Sequence, residues 1–236
     1  MKREKYRVMF FDELDSTNDY VKGMREKKEN LIAVAARQTR GRGTKGRSFA
    51  SGFGGVYLSR LTFHRGLLAA EAFKIMAGAA VAVCKTLEHY KLAPKIKWVN
   101  DIHVHGKKIC GILIENVFSG AYVESSVVGI GINVHNELPE ELQDIATSVL
   151  ETTGKKISAK AVAKRLIKEM TKNYGMDDYR SYLGYMGEYA TILIGDKRVH
   201  GRLISVDDEG GLLVEIDGKT RRFAAAEVSV RMGDRA

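Results

Sequence analysis

Residues 38–49 set three glycines, Gly41, Gly43 and Gly46, among four cations, Arg40, Arg42, Lys45 and Arg47. Glycine permits positive φ and close backbone approach, and guanidinium groups grip carboxylate or phosphate through paired hydrogen bonds. The chemistry implied is anion binding by a basic loop. Residues 41–46 also spell the dinucleotide fingerprint G-x-G-x-x-G, and residues 41–48 spell a phosphate loop with Arg47 in place of lysine. Both motifs need a helix to open at the loop, so that phosphate sits on its N-terminus. The next residues are rich in glycine and serine and then turn β-rich, so no helix starts there. A basic loop between two strands remains, with a plain solvated hairpin still open as an alternative.

Three further segments carry residue types that suit the same chemistry. Residues 97–102 place Lys97, Asn100 and Asp101 beside the only tryptophan, Trp98. Lys97 could neutralise phosphate, and Asp101 could hold Mg²⁺ directly or through water; a strand end with an Asn-Asp turn is the plainer reading. Residues 106–115 put Lys107 and Lys108 at the head of an otherwise apolar strand. Residues 128–134 form a glycine-interrupted strand with one amide, Asn133, where glycine often marks close backbone approach. His103 and His105 make an H-x-H pair at an expected hairpin tip; without a third ligand nearby they read as a solvated hairpin.

These residues need a scaffold, and the chain can build one. It has 236 residues, 44% hydrophobic and 28% charged, enough for a core and too apolar for disorder. No apolar run reaches the ~18–20 residues of a membrane span, and the start of the chain lacks a signal-peptide core, so a cytoplasmic protein is expected. Cys84 and Cys110 fit neither a disulfide framework nor a zinc spacing and read as small buried residues. The net charge of +9 favours acidic partners, but it is spread along the chain rather than gathered into a nucleic-acid footprint.

The pattern predicts strands at 6–14, 31–39, 54–63, 95–104, 107–117 and 121–134. Helices are expected from residue 16 to about 28, over 67–90, over 138–145 and over 158–174. Beyond about Gly187, short strands alternate with Gly-Asp, Asp-Asp-Glu-Gly-Gly and Asp-Gly-Lys turns. The expected architecture is α+β: a mixed-sheet unit over 1–186 followed by a small β-barrel over 187–236. Strands adjacent in sequence exclude a doubly wound fold.

Taken in order, the segments resemble the biotin protein ligase family. The matching residues are Leu14-Asp15-Ser16-Thr17-Asn18, Gln38-Thr39 with Gly41-Arg42-Gly43 and Gly46-Arg47, Lys97-Trp98 with Asn100-Asp101, Gly106-Lys107-Lys108 with Gly111-Ile112-Leu113, and Gly129-Ile130-Gly131-Ile132-Asn133. The resemblance implies a biotin/lipoate ligase-type mixed sheet with an SH3-like C-terminal barrel. It implies two steps: biotin and MgATP give biotinyl-5′-adenylate, and a lysine of a biotin carrier domain, as in acetyl-CoA carboxylase, then takes the biotinyl group. On this basis Arg42, Lys97 and Lys108 are the catalytic electrostatic groups. Ser16, Thr17, Asn18, Gln38, Arg42, Lys108 and Gly111 address biotin; Arg47, Phe49, Lys97, Asn100 and Asn133 address ATP; Asp101 addresses Mg²⁺. Family members commonly dimerise, so a homodimer is expected. With a first strand near Tyr6, a ligase-only member without a DNA-binding segment is expected, with no specific DNA binding.

The chain departs from the family pattern at Thr44, where a second loop arginine is common, at Phe49 in place of tryptophan, and at Val99 in place of proline. The nearest rival is a lipoate ligase, which shares the adenylate chemistry. A nucleic-acid-binding module is the rival of another class. It fits poorly, because the C-terminal segment offers only Tyr189 and Phe223 as aromatics and carries Asp207, Asp208 and Glu209.

Overall fold

The structure, a computed structural model, describes residues 5–225 and 228–232. It opens with one β-α-β unit: β1 (Arg7–Leu14), α1 (Thr17–Gly23) and β2 (Leu31–Gln38). The helix carries the chain back, so β1 and β2 pair in parallel. The remaining pairs of this sheet are antiparallel: β3 (Val56–Phe63), β4 (Lys95–Lys97), β5 (Asp101–Val104), β6 (Lys107–Ser119) and β7 (Tyr122–Ile132) complete it in the order β1-β2-β3-β7-β6-β5-β4.

The unbroken apolar run of β2 is explained by burial on both faces. Leu31 and Ala33 pack with Val21 of α1, whereas Ile32 and Val34 join the main core on the opposite face. That main core includes the alanine-rich α2 (Phe73–His89), whose residues 79–84 are all buried. Behind it stand α3 (Val149–Thr153), α4 (Ala159–Glu169) and α5 (Met176–Tyr182). Cys84 and Cys110 lie in the same core, as expected, and burial raises both thiol pKa values.

Several expected elements are shorter, because pairing elsewhere competes for their backbone. The helix expected from residue 67 starts at Phe73; Leu67 and Ala69 bond instead to Val123 and Ala121. The helix expected over 138–145 is a single 3-10 turn, Glu140–Leu142, since residues 145–147 pair with Lys108 at the head of β6. The first helix ends at Gly23 and is followed by a 3-10 turn, Arg25–Lys27. Residues 95–104 fold back on themselves as the β4–β5 hairpin rather than running as one strand. The short helices α3 and α5 have no counterpart among the elements expected from the pattern.

The C-terminal strands, β8 (Tyr189–Ile194), β9 (Lys197–Val206), β10 (Leu212–Ile216), β11 (Lys219–Phe223) and β12 (Val228–Met232), form an antiparallel sheet in the order β11-β10-β9-β8-β12. The small all-β unit is therefore present as an open five-stranded sheet among the described residues. It is not detached. Ile192, Leu203, Val206, Leu212 and Val214 belong to the same buried cluster as α2 and β6. Trp98 Nε1 donates to the Gly210 carbonyl at 3.1 Å, and Arg180 of α5 donates to the Val206 carbonyl and pairs with Asp208. No helix among the described residues is long and apolar enough to cross a membrane.

Candidate active site

Register places the chemistry-bearing residues on the face of the large sheet that carries α1. Tyr57, Gly131, Gly111, Asp101 and Lys97 stand opposite one another across five strands. In the next row Ser59 faces Gly129 and Gly129 faces Leu113; beyond that Val127 faces Glu115. The glycines hollow this surface. A Cβ on Gly129 would collide with the Asn18 amide, and one on Gly131 would lie 2.5 Å from the Phe49 ring. The hollow is a cavity of about 630 Å³, lined among others by Ser16, Thr17, Asn18, Gln38, Arg42, Arg47, Phe49, Lys97, Asn100, Asp101, Lys108, Gly111 and Asn133. Every residue expected from the sequence to meet biotin, ATP or Mg²⁺ therefore lines one space.

One half of the cavity is a polar network. Gln38 Oε1 accepts from the backbone N–H and hydroxyl of Thr17, at 2.7 and 2.9 Å. Ser59 Oγ sits 2.7 Å from Thr17 Oγ1 and 2.5 Å from Asn18 Oδ1, while Asn18 Nδ2 donates to Glu115. Gln38 Nε2 donates to Ser51, whose hydroxyl donates to the Phe49 carbonyl. Buried polar groups bonded this way hold a fixed pattern of donors and acceptors. Ser16 has a prior duty as N-cap of α1, accepting from the Asp19 N–H.

The other half is cationic. Lys108 Nζ pairs with Asp101 Oδ1 at 2.7 Å. Arg47 donates to the carbonyl and hydroxyl of Thr44, whereas Lys97 has no hydrogen-bond or ion-pair partner among the described residues. Asn100 ties the β4–β5 hairpin to β6, its Nδ2 donating to the Ile112 carbonyl. Asn133 is buried with its amide engaged at both ends, donating to the Thr147 carbonyl and accepting from Asn136. These bonds brace the loops around the cavity.

The basic loop joins β2 to β3 without opening an α-helix. Phe49 N–H bonds to the Gly41 carbonyl, Arg42 bridges Ser48, and a single 3-10 turn, Thr44–Gly46, forms the tip. Neither nucleotide fingerprint has the helix its physics requires. Arg42 points its guanidinium at carboxylates of the protein, Asp19 at 2.6 Å and Glu115 at 3.6 Å.

The histidine pair matches the solvated hairpin expected of it only at His105. His103 is buried beside the cavity, its Nδ1 3.0 Å from both the Gly106 carbonyl and the Tyr185 hydroxyl, while His105 is exposed in the turn with φ 50°. Burial lowers the pKa of His103, helped by the nearby Lys97 charge. Among the described residues no group of three His, Cys, Asp or Glu side chains could hold a metal ion. Sequence reasoning also missed Leu138, Leu142, Ile145 and Tyr185, which line the cavity. Leu142 comes from the 3-10 turn and Leu138, Ile145 and Tyr185 from loops; the pattern over 138–145 reads as a helix, which gives no sign that its apolar residues wall a cavity.

Residues 10–133 match the model of the biotin/lipoate A/B protein ligase family, and residues 187–231 match that of the biotin protein ligase C terminal domain. The chain is 32% identical over 219 residues to the bifunctional ligase/repressor BirA of Bacillus subtilis, covering 86% of this chain and 66% of that protein. It is 27% identical over 219 residues to the biotin–[acetyl-CoA-carboxylase] ligase of Mycobacterium tuberculosis, covering 85% and 79%. A solved biotin protein ligase from Aquifex aeolicus, in complex with biotin and ATP, superposes with a TM-score of 0.78 at 30% identity, covering 95% of this chain and 98% of that one. The chain belongs to the biotin/lipoate A/B protein ligase family, and within it to the biotin protein ligases.

Proposed function

We propose that the protein joins biotin to a lysine of a biotin carrier domain through biotinyl-5′-adenylate. The observation that supports this best is the division of one cavity into a polar half around Thr17, Asn18 and Gln38 and a cationic half around Lys97 and Lys108. The first suits a small ligand with a compact urea- or amide-type head group; the second suits phosphates. In the first step a carboxylate oxygen of biotin attacks the α-phosphorus of ATP and pyrophosphate leaves. In the second the acceptor amine attacks the acyl carbon, AMP leaves, and the amine gives up a proton.

No protein nucleophile is required. The side chains supply position and charge: Lys108, Lys97, Arg42 and Arg47 offset the negative charge that gathers when two anions meet. Phe49 would lie against the bound ligand, Gly111 would let it approach the sheet, and Asn100 would hold the Lys97 hairpin in place. Ser16 and Asn133 would act by fixing the backbone around the ligands. Mg²⁺ would arrive on the nucleotide, held mainly by phosphate and water, and Asp101, one of the carboxylates lining the cavity, would meet it.

Residues 1–186 would form the catalytic unit and 187–236 the second domain. For partners we expect a carrier domain of a biotin-dependent carboxylase and a second copy of this chain, with β1 and its exposed Val8 and Phe10 at one edge of the large sheet. ATP–pyrophosphate exchange tests the reading, with Mg²⁺ and either biotin or lipoate. Exchange with biotin is expected. Exchange with lipoate alone would move the assignment to lipoate ligation, and none with either would overturn the ligase reading.

A further inference from the structure

Asp19 and Lys22 on α1, Glu115 on β6 and Arg42 in the loop form one cluster of charge. Arg42 Nη1 lies 2.6 Å from Asp19 Oδ1 and its Nη2 lies 3.6 Å from Glu115 Oε1. Lys22 reaches the same Glu115 oxygen and stands 3.5 Å from the same Asp19 oxygen. Two cations thus share two carboxylates across three elements. The second Glu115 oxygen accepts from Asn18 Nδ2 at 2.9 Å, and the network from Asn18 runs through Ser59, Thr17 and Gln38 to Ser51 and the Phe49 carbonyl. The loop is therefore tied at both ends to the side chains that face the cavity, by charge at Arg42 and by a hydrogen bond at Phe49.

We propose that Asp19 and Glu115 are positioning residues that park the loop through Arg42, and that Lys22 sets the strength of this hold by competing for the same oxygens. A substrate carboxylate or phosphate must draw Arg42 away from the pair, so the pair governs binding rather than the chemical step. The kinetic half of this inference rests on the proposed role of Arg42 as a substrate contact; the parking itself concerns the free protein alone. Asp19 and Arg42 are about half exposed, 53% and 45%. Pairs of this kind are individually weak and screened by salt, so changes of only a few fold are expected.

The test is tryptic cleavage of the free protein within residues 40–47, followed by fragment mass, together with KM and kcat for biotin. Asp19→Asn should speed cleavage about two- to fivefold and lower KM by a similar factor, with kcat unchanged. Lys22→Met leaves both carboxylates to Arg42, so it should slow cleavage and raise KM. Added salt should bring both variants towards the parent protein. Opposite signs distinguish a shared hold from simple damage to α1, which would move both variants the same way. Cleavage that changes in the same direction in both variants, or in neither, overturns the proposal. Opposite shifts in cleavage with KM fixed would overturn only the reading of Arg42 as a substrate contact.

Discussion

Lys108 and Asp101 neutralise one another across 2.7 Å, so among the cations lining the cavity an incoming polyanion meets Lys97 with its ammonium free of any protein hydrogen bond or ion pair among the described residues. Lys108→Met should lower adenylate formation by about 10²–10³-fold, the usual loss when one stabilising group is removed from a developing charge. Pyrophosphate exchange measures it, and a loss confined to the KM for biotin would contradict the role. Gly129 is constrained differently: a Cβ there strikes the Asn18 side chain and displaces it from Ser59 and Glu115. Gly129→Ala should cost about 1–3 kcal/mol of stability and raise the KM for biotin; denaturant titration and steady-state kinetics check the two effects. At the loop tip Thr44 offers its carbonyl and hydroxyl to Arg47. Thr44→Arg adds a further guanidinium and should reduce labelling of a bystander protein by escaped adenylate. Equal, negligible background in both proteins would remove the idea.

The elements explain which parts of this could be read in advance. The site residues were legible because each sits in a short run of unusual composition, glycine among cations or amides at a strand end. Their common location was not, because it depends on register: that Gly111, Gly131 and Asp101 share a row follows from strand pairing, which no local pattern encodes. The long α2 and the β-rich C-terminus were equally clear. Residues 138–147 and the short α5 were not, since their conformation is decided by what they pack against. In α4 the fully buried Glu169 lies 2.7 Å from Arg165 and from Lys172 and 2.5 Å from the Tyr174 hydroxyl. Burial pushes its pKa up, but these hydrogen bonds and charges outweigh it and the net shift is downward. The carboxylate thus contributes stability above its unfolded pKa of about 4.3, and that contribution is lost as pH falls through the lower folded value. Glu169→Gln should cost about 1–3 kcal/mol near neutral pH and flatten the acid limb of a melting-temperature profile. An unchanged acid limb would show that the cluster does not couple to folding.

At the scale of the whole molecule, the β4–β5 hairpin that carries Lys97 and Asp101 is braced from the C-terminal side. Trp98 donates to Gly210, Tyr179 donates to the Val99 carbonyl, and Gly184 N–H bonds to Ile96. Trp98→Phe keeps an aromatic ring, though a smaller one, and loses one hydrogen bond, worth about 1 kcal/mol. It should weaken ATP more than biotin, because the polar half of the cavity lies on other strands; separate KM values decide it. Both sheets feed one buried cluster, so a single calorimetric transition is expected rather than two. That shared cluster also limits how the chain can be recombined with its relatives. A C-terminal sheet transplanted from another ligase would arrive with its own carbonyl where Gly210 receives Trp98, and with its own apolar face against α2 and α5. Such a graft can work only when the turn around Gly210 and the helices beneath it are exchanged together, so the seam for building chimaeras lies inside the core and not at the apparent boundary near residue 187.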